Sequence, residues 1–237
     1  MRWVASSKRE MQGMPDDVKD VFGRAILDVQ YGDTPRGARP FGEGLPKEIM
    51  KLSEDYQGDT YRAVYTAEFA DVVYVLDVFA KKSKSGIGTP KPDKERVVAR
   101  FKAAAEHYKM SRGRSLEGIA MTTAKKNENI QVEESTGNVF ADLGFADAEE
   151  RLAKAELARV IHQVVESLGW TQCRAARALG LAAPDVSDLV RGRLARFSQG
   201  RLERCLLALD MDVTIRISRK KSKSPHARMK VELAPAV

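Results

Sequence analysis

Between Lys81 and Arg114 the chain carries eleven basic side chains, opposed only by Asp93, Glu95 and Glu106. The run follows an apolar strand-like segment and opens with Lys81, Lys82 and Lys84, three cations within four residues. A charge run of this kind reads either as a solvated face or as a groove for a phosphate backbone. Cleaving RNA through its 2′-hydroxyl needs a base for that oxygen, an acid for the leaving oxygen and positive charge on the phosphate. No histidine pair offers itself, since His107 falls on a helical stretch as a surface residue. Just upstream, TYRAVYT (60–66) alternates as a strand does, which puts Tyr61 and Tyr65 on one face and leaves one of them to the core.

A second constellation spans Trp170–Gly192, WTQCRAARALGLAAPDVSDLVRG. Thr171 is placed to cap a first helix. Ala175 and Ala176 present a small face for close helix crossing, and Gly180 supplies the left-handed residue that ends the helix. Val186 and Leu189, three apart, hold down a second helix that Gly192 terminates. This is the pattern of a helix-turn-helix, which presents its second helix to a DNA major groove; a plain helical hairpin is the alternative.

The surrounding elements are legible from periodicity. Asp16–Gln30 repeats apolar residues at three and four, as an amphipathic helix does. A Gly/Pro-rich stretch follows from Gly32 to Pro46. Strand-like runs occupy Glu48–Asp55, Thr60–Thr66 and Val72–Lys81, the last two joined as a hairpin through Ala67–Asp71. A helix from about Pro92 to Lys109 closes this half, giving a small α+β domain over residues 1–110. Residues 111–138 read as a flexible linker, with Met121 as a candidate internal start. Helices are expected at Asp147–Leu168, Thr171–Leu179, Ala183–Val190 and Ser198–Leu209. They are followed by a strand-like MDVTIRIS (Met211–Ser218) and a basic tail over 219–237.

The 40 Lys and Arg against 33 Asp and Glu leave a formal charge of +7, which favours an anionic partner. No apolar run approaches a membrane span and MRWVASSKRE lacks a secretory signal, so a cytoplasmic protein without a membrane partner is expected. Cys173 and Cys205 fall in helical patterns and are expected as buried, reduced thiols. No metal-ligand spacing exists, and no metal or cofactor is expected.

The pattern TQ…AA..LG…P.VS.L.RG, followed by RFS…L…L.ALD.DV.I, resembles the Xre-like antitoxins of the HigA group over about Asn138–Ser218. The resemblance implies an all-α helix-turn-helix domain ending in a short strand. Gln172, Pro184, Asp185, Ser187, Asp188, Arg191, Arg193 and Arg196 would lie at operator DNA, the arginines at phosphates. Where such antitoxins carry Ser or Thr followed by Gln before the proline, this chain has Ala182 and Ala183. Alanine cannot hydrogen-bond base edges, which shifts the expected grip from bases to phosphates.

GDTYRAVYT and VYVL…F.KKSK.GI.TP, with a Trp3 strand and a closing helix, resemble the phage-derived toxins related to HigB and the RelE superfamily over about residues 2–109. That likeness implies a small twisted antiparallel sheet with helices packed on it, and cleavage of messenger RNA on the ribosome. It also implies that lysine, arginine and tyrosine do the chemistry. Arg62 would stabilise phosphate, Lys81, Lys82 or Lys84 would supply charge and proton transfer, and Tyr65 would stack on a base or donate a proton. The two resemblances together imply a toxin–antitoxin pair in one chain, whether by natural fusion or by joining of two partners. The halves would bind each other, the toxin would be neutralised by the antitoxin, and the helix-turn-helix would repress its own operon as a homodimer through the C-terminal domain. The alternatives are a DNA-binding regulator with an inactive toxin-like scaffold, and a phage structural protein with a basic surface.

Overall fold

The computed structural model describes residues 1–42, 44–69, 72–81, 91–113, 130–217, 219, 231 and 233. Strand β1 (Arg2–Val4) leads into helices α1 (Ser7–Gln12) and α2 (Asp16–Gln30). Strands β2 (Arg39–Pro40), β3 (Met50–Tyr56), β4 (Asp59–Thr66) and β5 (Tyr74–Lys81) follow, then helix α3 (Lys91–Gly113). Strand β6 (Val132–Glu134) precedes five helices: α4 (Val139–Asp142), α5 (Ala148–Ser167), α6 (Gln172–Leu179), α7 (Ala183–Arg191) and α8 (Gln199–Leu207).

The sheet order is β2-β3-β4-β5-β1-β6. Two features depart from the sequence reading. The sheet is mixed, because β1 lies parallel to β5 with Trp3 beside Val75. Its sixth strand comes from the expected linker: Val132–Glu134 pair antiparallel with β1, Val4 opposite Val132. A three-residue strand has almost no pattern of its own and forms here because β1 offers an open edge.

Helix α2 explains why the two halves do not stay apart. Val18, Phe22, Ile26 and Val29 are buried in one core with Leu52, Ala63, Tyr65, Val75 and Val78 of the sheet. Gly23 turns toward the C-terminal half, where a side chain at that position would meet Phe140 Cε1 at 2.9 Å. Phe140, Leu143, Val160, Ile161 and Leu189 belong to the same continuous core. Trp3, fully buried, donates its indole N–H to Asp142 Oδ2 at 3.0 Å across the junction. Arg151 Nη1 reaches Asp20 at 2.6 Å and stacks 3.8 Å over Phe145, and Gln163 Nε2 donates to Asp33 at 2.9 Å. A second, smaller core on the other side of the sheet joins Val64, Tyr74 and Leu76 to Val97 and Ala104 of α3.

The strand expected at Met211–Ser218 does not form over 211–217. The alternation is present, but Val213, Ile215 and Ile217 are exposed, and a lone strand has no ladder to satisfy its backbone. Cys205 is buried and its thiol is held above the usual thiol range by that burial, whereas Cys173 is exposed, contrary to expectation, because it lies on the outer side of α6.

Candidate nucleic-acid interfaces

Beside the smaller core, the face of the sheet that carries α3 holds a row of polar residues. In register, Arg39 sits opposite Lys51, Lys51 opposite Val64, and Ser53 opposite Arg62, so Arg39, Lys51 and Arg62 project to one side. Arg62 continues the row to Phe79 on β5. Helix α3 packs chiefly on β5 and β1, and the β3–β4 part of this face lies beside Phe41 and Ile49, with Lys51 and Arg62 half-buried.

Asp77, fully buried on the same face, draws in Arg100 at 2.5 Å and Arg96 at 2.8 Å; burial nevertheless lifts its carboxyl above the usual range. Those two arginines are thereby committed to structure. Arg62 is not: its Nε and Nη1 are buried and have no hydrogen-bond partner. The Lys51 amine is held below the usual lysine range, first by burial and then by the charges of Arg62 and Arg39. It donates to the Phe41 carbonyl at 3.4 Å. An amine easier to deprotonate beside an unsatisfied guanidinium is an arrangement that can hold a phosphate and move a proton.

The sequence reading grouped Arg62 with Tyr65, and the structure separates them. Tyr65 falls on the opposite face with Tyr61, is 4% exposed, and burial raises its phenol to about 12. It lines a cleft of about 590 Å³ with Met1, Tyr31 and Met50, away from the cationic row. Lys81 ends β5 with its backbone opposite Thr60, two positions along the register from Arg62. Lys82 and Lys84 lie outside the described residues. Lys51 and Arg39 went unnoticed because no local run marks them; only the strand register brings them to Arg62. Among the described residues no group of His, Cys, Asp and Glu could hold a metal ion.

The helix-turn-helix is built as its residues demand. Thr171 Oγ1 accepts from the Arg174 N–H at 3.3 Å, Gly180 takes the left-handed conformation at φ 63°, and Val186 and Leu189 are buried. Ala182 caps α7 without a side-chain bond, and Pro184 sits in its first turn. Gln172, Pro184, Arg191 and Arg196 are exposed and Ser187 is half-buried.

Three residues expected at DNA, Asp185, Asp188 and Arg193, have protein partners. Asp185 accepts from Arg201 Nη2 at 2.6 Å, which anchors the start of α7 to α8. Arg193 donates its Nε–H to Glu54 Oε1 of β3 at 3.0 Å and also approaches Asp188 at 3.6 Å. It therefore ties the helix-turn-helix unit to the sheet, a role that only a partner 139 residues away reveals.

Residues 139–218 match a helix-turn-helix domain family. A solved protein assigned to the XRE family of transcriptional regulators is 41% identical; the match covers 37% of this chain and 99% of that one, with a TM-score of 0.36. Over residues 139–218 the chain carries a helix-turn-helix domain, a DNA-binding type of domain. The residues before it include a match over 9–102 to the phage-derived Gp49-like family. No curated protein matches the chain. No helix among the described residues is long and apolar enough to cross a membrane.

Proposed function

We propose that this chain is a toxin–antitoxin protein in which residues 1–110 form a ribosome-dependent messenger-RNA nuclease of the HigB/RelE type and residues 139–218 form a HigA-like operator-binding repressor. In this reading Met121 opens the second unit. The observation that carries it is the Arg62–Lys51–Arg39 row, a cationic face with an unsatisfied guanidinium and an amine of lowered pKa. Arg62 binds the scissile phosphate, and Lys51 joins the expected lysines in proton transfer.

The helix-turn-helix domain packs on the α2 face, opposite Arg62, so neutralisation does not work by covering the cationic row. It works by bulk: a domain fused to α2 keeps the whole from entering the ribosome. Operator binding uses Gln172, Ser187, Arg191 and Arg196, with a homodimer formed through the C-terminal segment. Antiparallel pairing of two copies about Thr214 would set Asp212 opposite Arg216 twice, and Val213 opposite Ile215.

A second reading, a DNA-binding regulator with an inactive toxin-like scaffold, is favoured by the continuous core, which makes the N-terminal half part of the regulator's own fold. One experiment separates the two. The full chain and a Gly192→Lys variant that forces the halves apart are expressed, and messenger-RNA ends are mapped. Silent wild type, cleavage by the variant, and silence restored by adding Arg62→Ala support the nuclease. An undocked variant that cuts nothing favours the scaffold.

A further inference from the structure

A cleft of about 320 Å³ lies where the two halves meet, between α2, residues 35–37, β3 and the end of α7. Its lining includes Arg24, Arg36, Arg191 and Arg193, with Asp28 and Glu54. The acids are already taken. Asp28 pairs with Nη1 of Arg24, Glu54 pairs with Arg193, and Asp55, the third acid of the lining, accepts from Thr60 Oγ1 at 2.6 Å.

Arg24 stands out. Its side chain is 2% exposed, and its Nε and Nη2 are buried with no hydrogen-bond partner. These two atoms form one edge of the guanidinium, the edge that takes two oxygens of a single oxyanion side by side. The stem cannot swing out, because Gly192 closes over it: a side chain there would come within 2.5 Å of Arg24 Cβ. Arg36 and Arg191 are exposed at the rim and have no ion pair among the described residues. Two free arginines above a fixed, half-satisfied third favour a doubly charged group over a carboxylate.

We infer that this cleft binds the phosphate of a small phosphomonoester, held side-on by Arg24 and closed in by Arg36 and Arg191. The depth of Arg24 excludes the backbone of a duplex, and the volume matches the low end of small-molecule pockets, about 300–1,000 Å³. Both halves contribute to the site, so the ligand binds the docked arrangement more tightly than the separated one and stabilises it. The inference stands whether or not the sheet face cuts RNA.

The test is calorimetric titration of the full chain with orthophosphate and with adenosine 5′-monophosphate, at ionic strength matched with chloride, alongside thermal melting. Saturable binding of one anion per chain and a rise in Tm beyond that in chloride are expected. Tighter binding of the nucleotide assigns a nucleoside phosphate, whereas equal binding assigns the phosphate group alone. Arg36→Ala, at the exposed rim, leaves the fold intact and weakens binding about tenfold, the effect of one lost charge-assisted contact. Arg24→Met abolishes it. A Tm rise no larger than that in chloride, or unchanged affinity in Arg36→Ala, overturns the proposal.

Discussion

The two faces of the sheet are made from alternate residues of the same strands and have opposite fates. On one, Leu52, Ala63, Tyr65 and Val78 sink into a core that α2 shares with the helix-turn-helix domain. On the other, Lys51 and Arg62 stand half-buried on the β3–β4 portion, with no ion pair among the described residues. The first face fixes position and the second is left free for an anion. The contrast also explains how a tyrosine three residues from Arg62 can have no part in its chemistry: an odd step along a strand changes sides.

Breaking the apolar face is expected to have the largest effect. Trp3→Ala removes a fully buried ring and the bond to Asp142, and should cost about 3–5 kcal/mol in denaturant unfolding, with both halves lost in one transition. Two separate transitions would show that the core is not shared. Gly192→Ala comes next. Its left-handed φ of 81° costs an L side chain about 1–3 kcal/mol, and overpacking against Arg24 about 1–3 kcal/mol more.

Tyr65 sharpens the comparison through pH. Its phenol ionises near the ordinary 10.0 when unfolded and at about 12 when folded, so the native state holds the proton longer. Stability from this group is complete below pH 10 and falls as pH rises toward 12, by up to about 2.7 kcal/mol for a shift of two units. Tyr65→Phe should abolish that component in urea titrations at pH 9 to 12 and leave RNA binding unchanged; a loss of RNA binding would return Tyr65 to the site. The smallest effect belongs to Arg193→Ala. Glu54 loses a partner that is itself 38% exposed, so thermal unfolding should register only about 0.5–1 kcal/mol.

Local pattern revealed what is locally determined. Asp16–Gln30 is helical over its whole expected length, and Thr171 and Gly180 bound α6 as their side chains and conformations require. What stayed hidden depends on partners distant in the chain. Val132–Glu134 become a strand only against β1, and Met211–Ile217, with better alternation, stay unpaired for want of a neighbour. Arg193 looked like a DNA contact until Glu54 claimed it, and Lys51 looked like any surface lysine until register placed it beside Arg62. The cationic run begins at the end of β5, while the unsatisfied guanidinium of Arg62 lies one strand away, on β4.

In the proposed function the cationic face of the sheet grips an RNA backbone through Arg62. The affinity of the full chain for single-stranded RNA across a salt series, compared with Arg62→Ala, tests this directly. Binding weakened by about tenfold or more and a salt slope smaller by about one phosphate contact are expected, with duplex DNA binding unchanged. Equal RNA affinity and equal salt slope in the two proteins would contradict it.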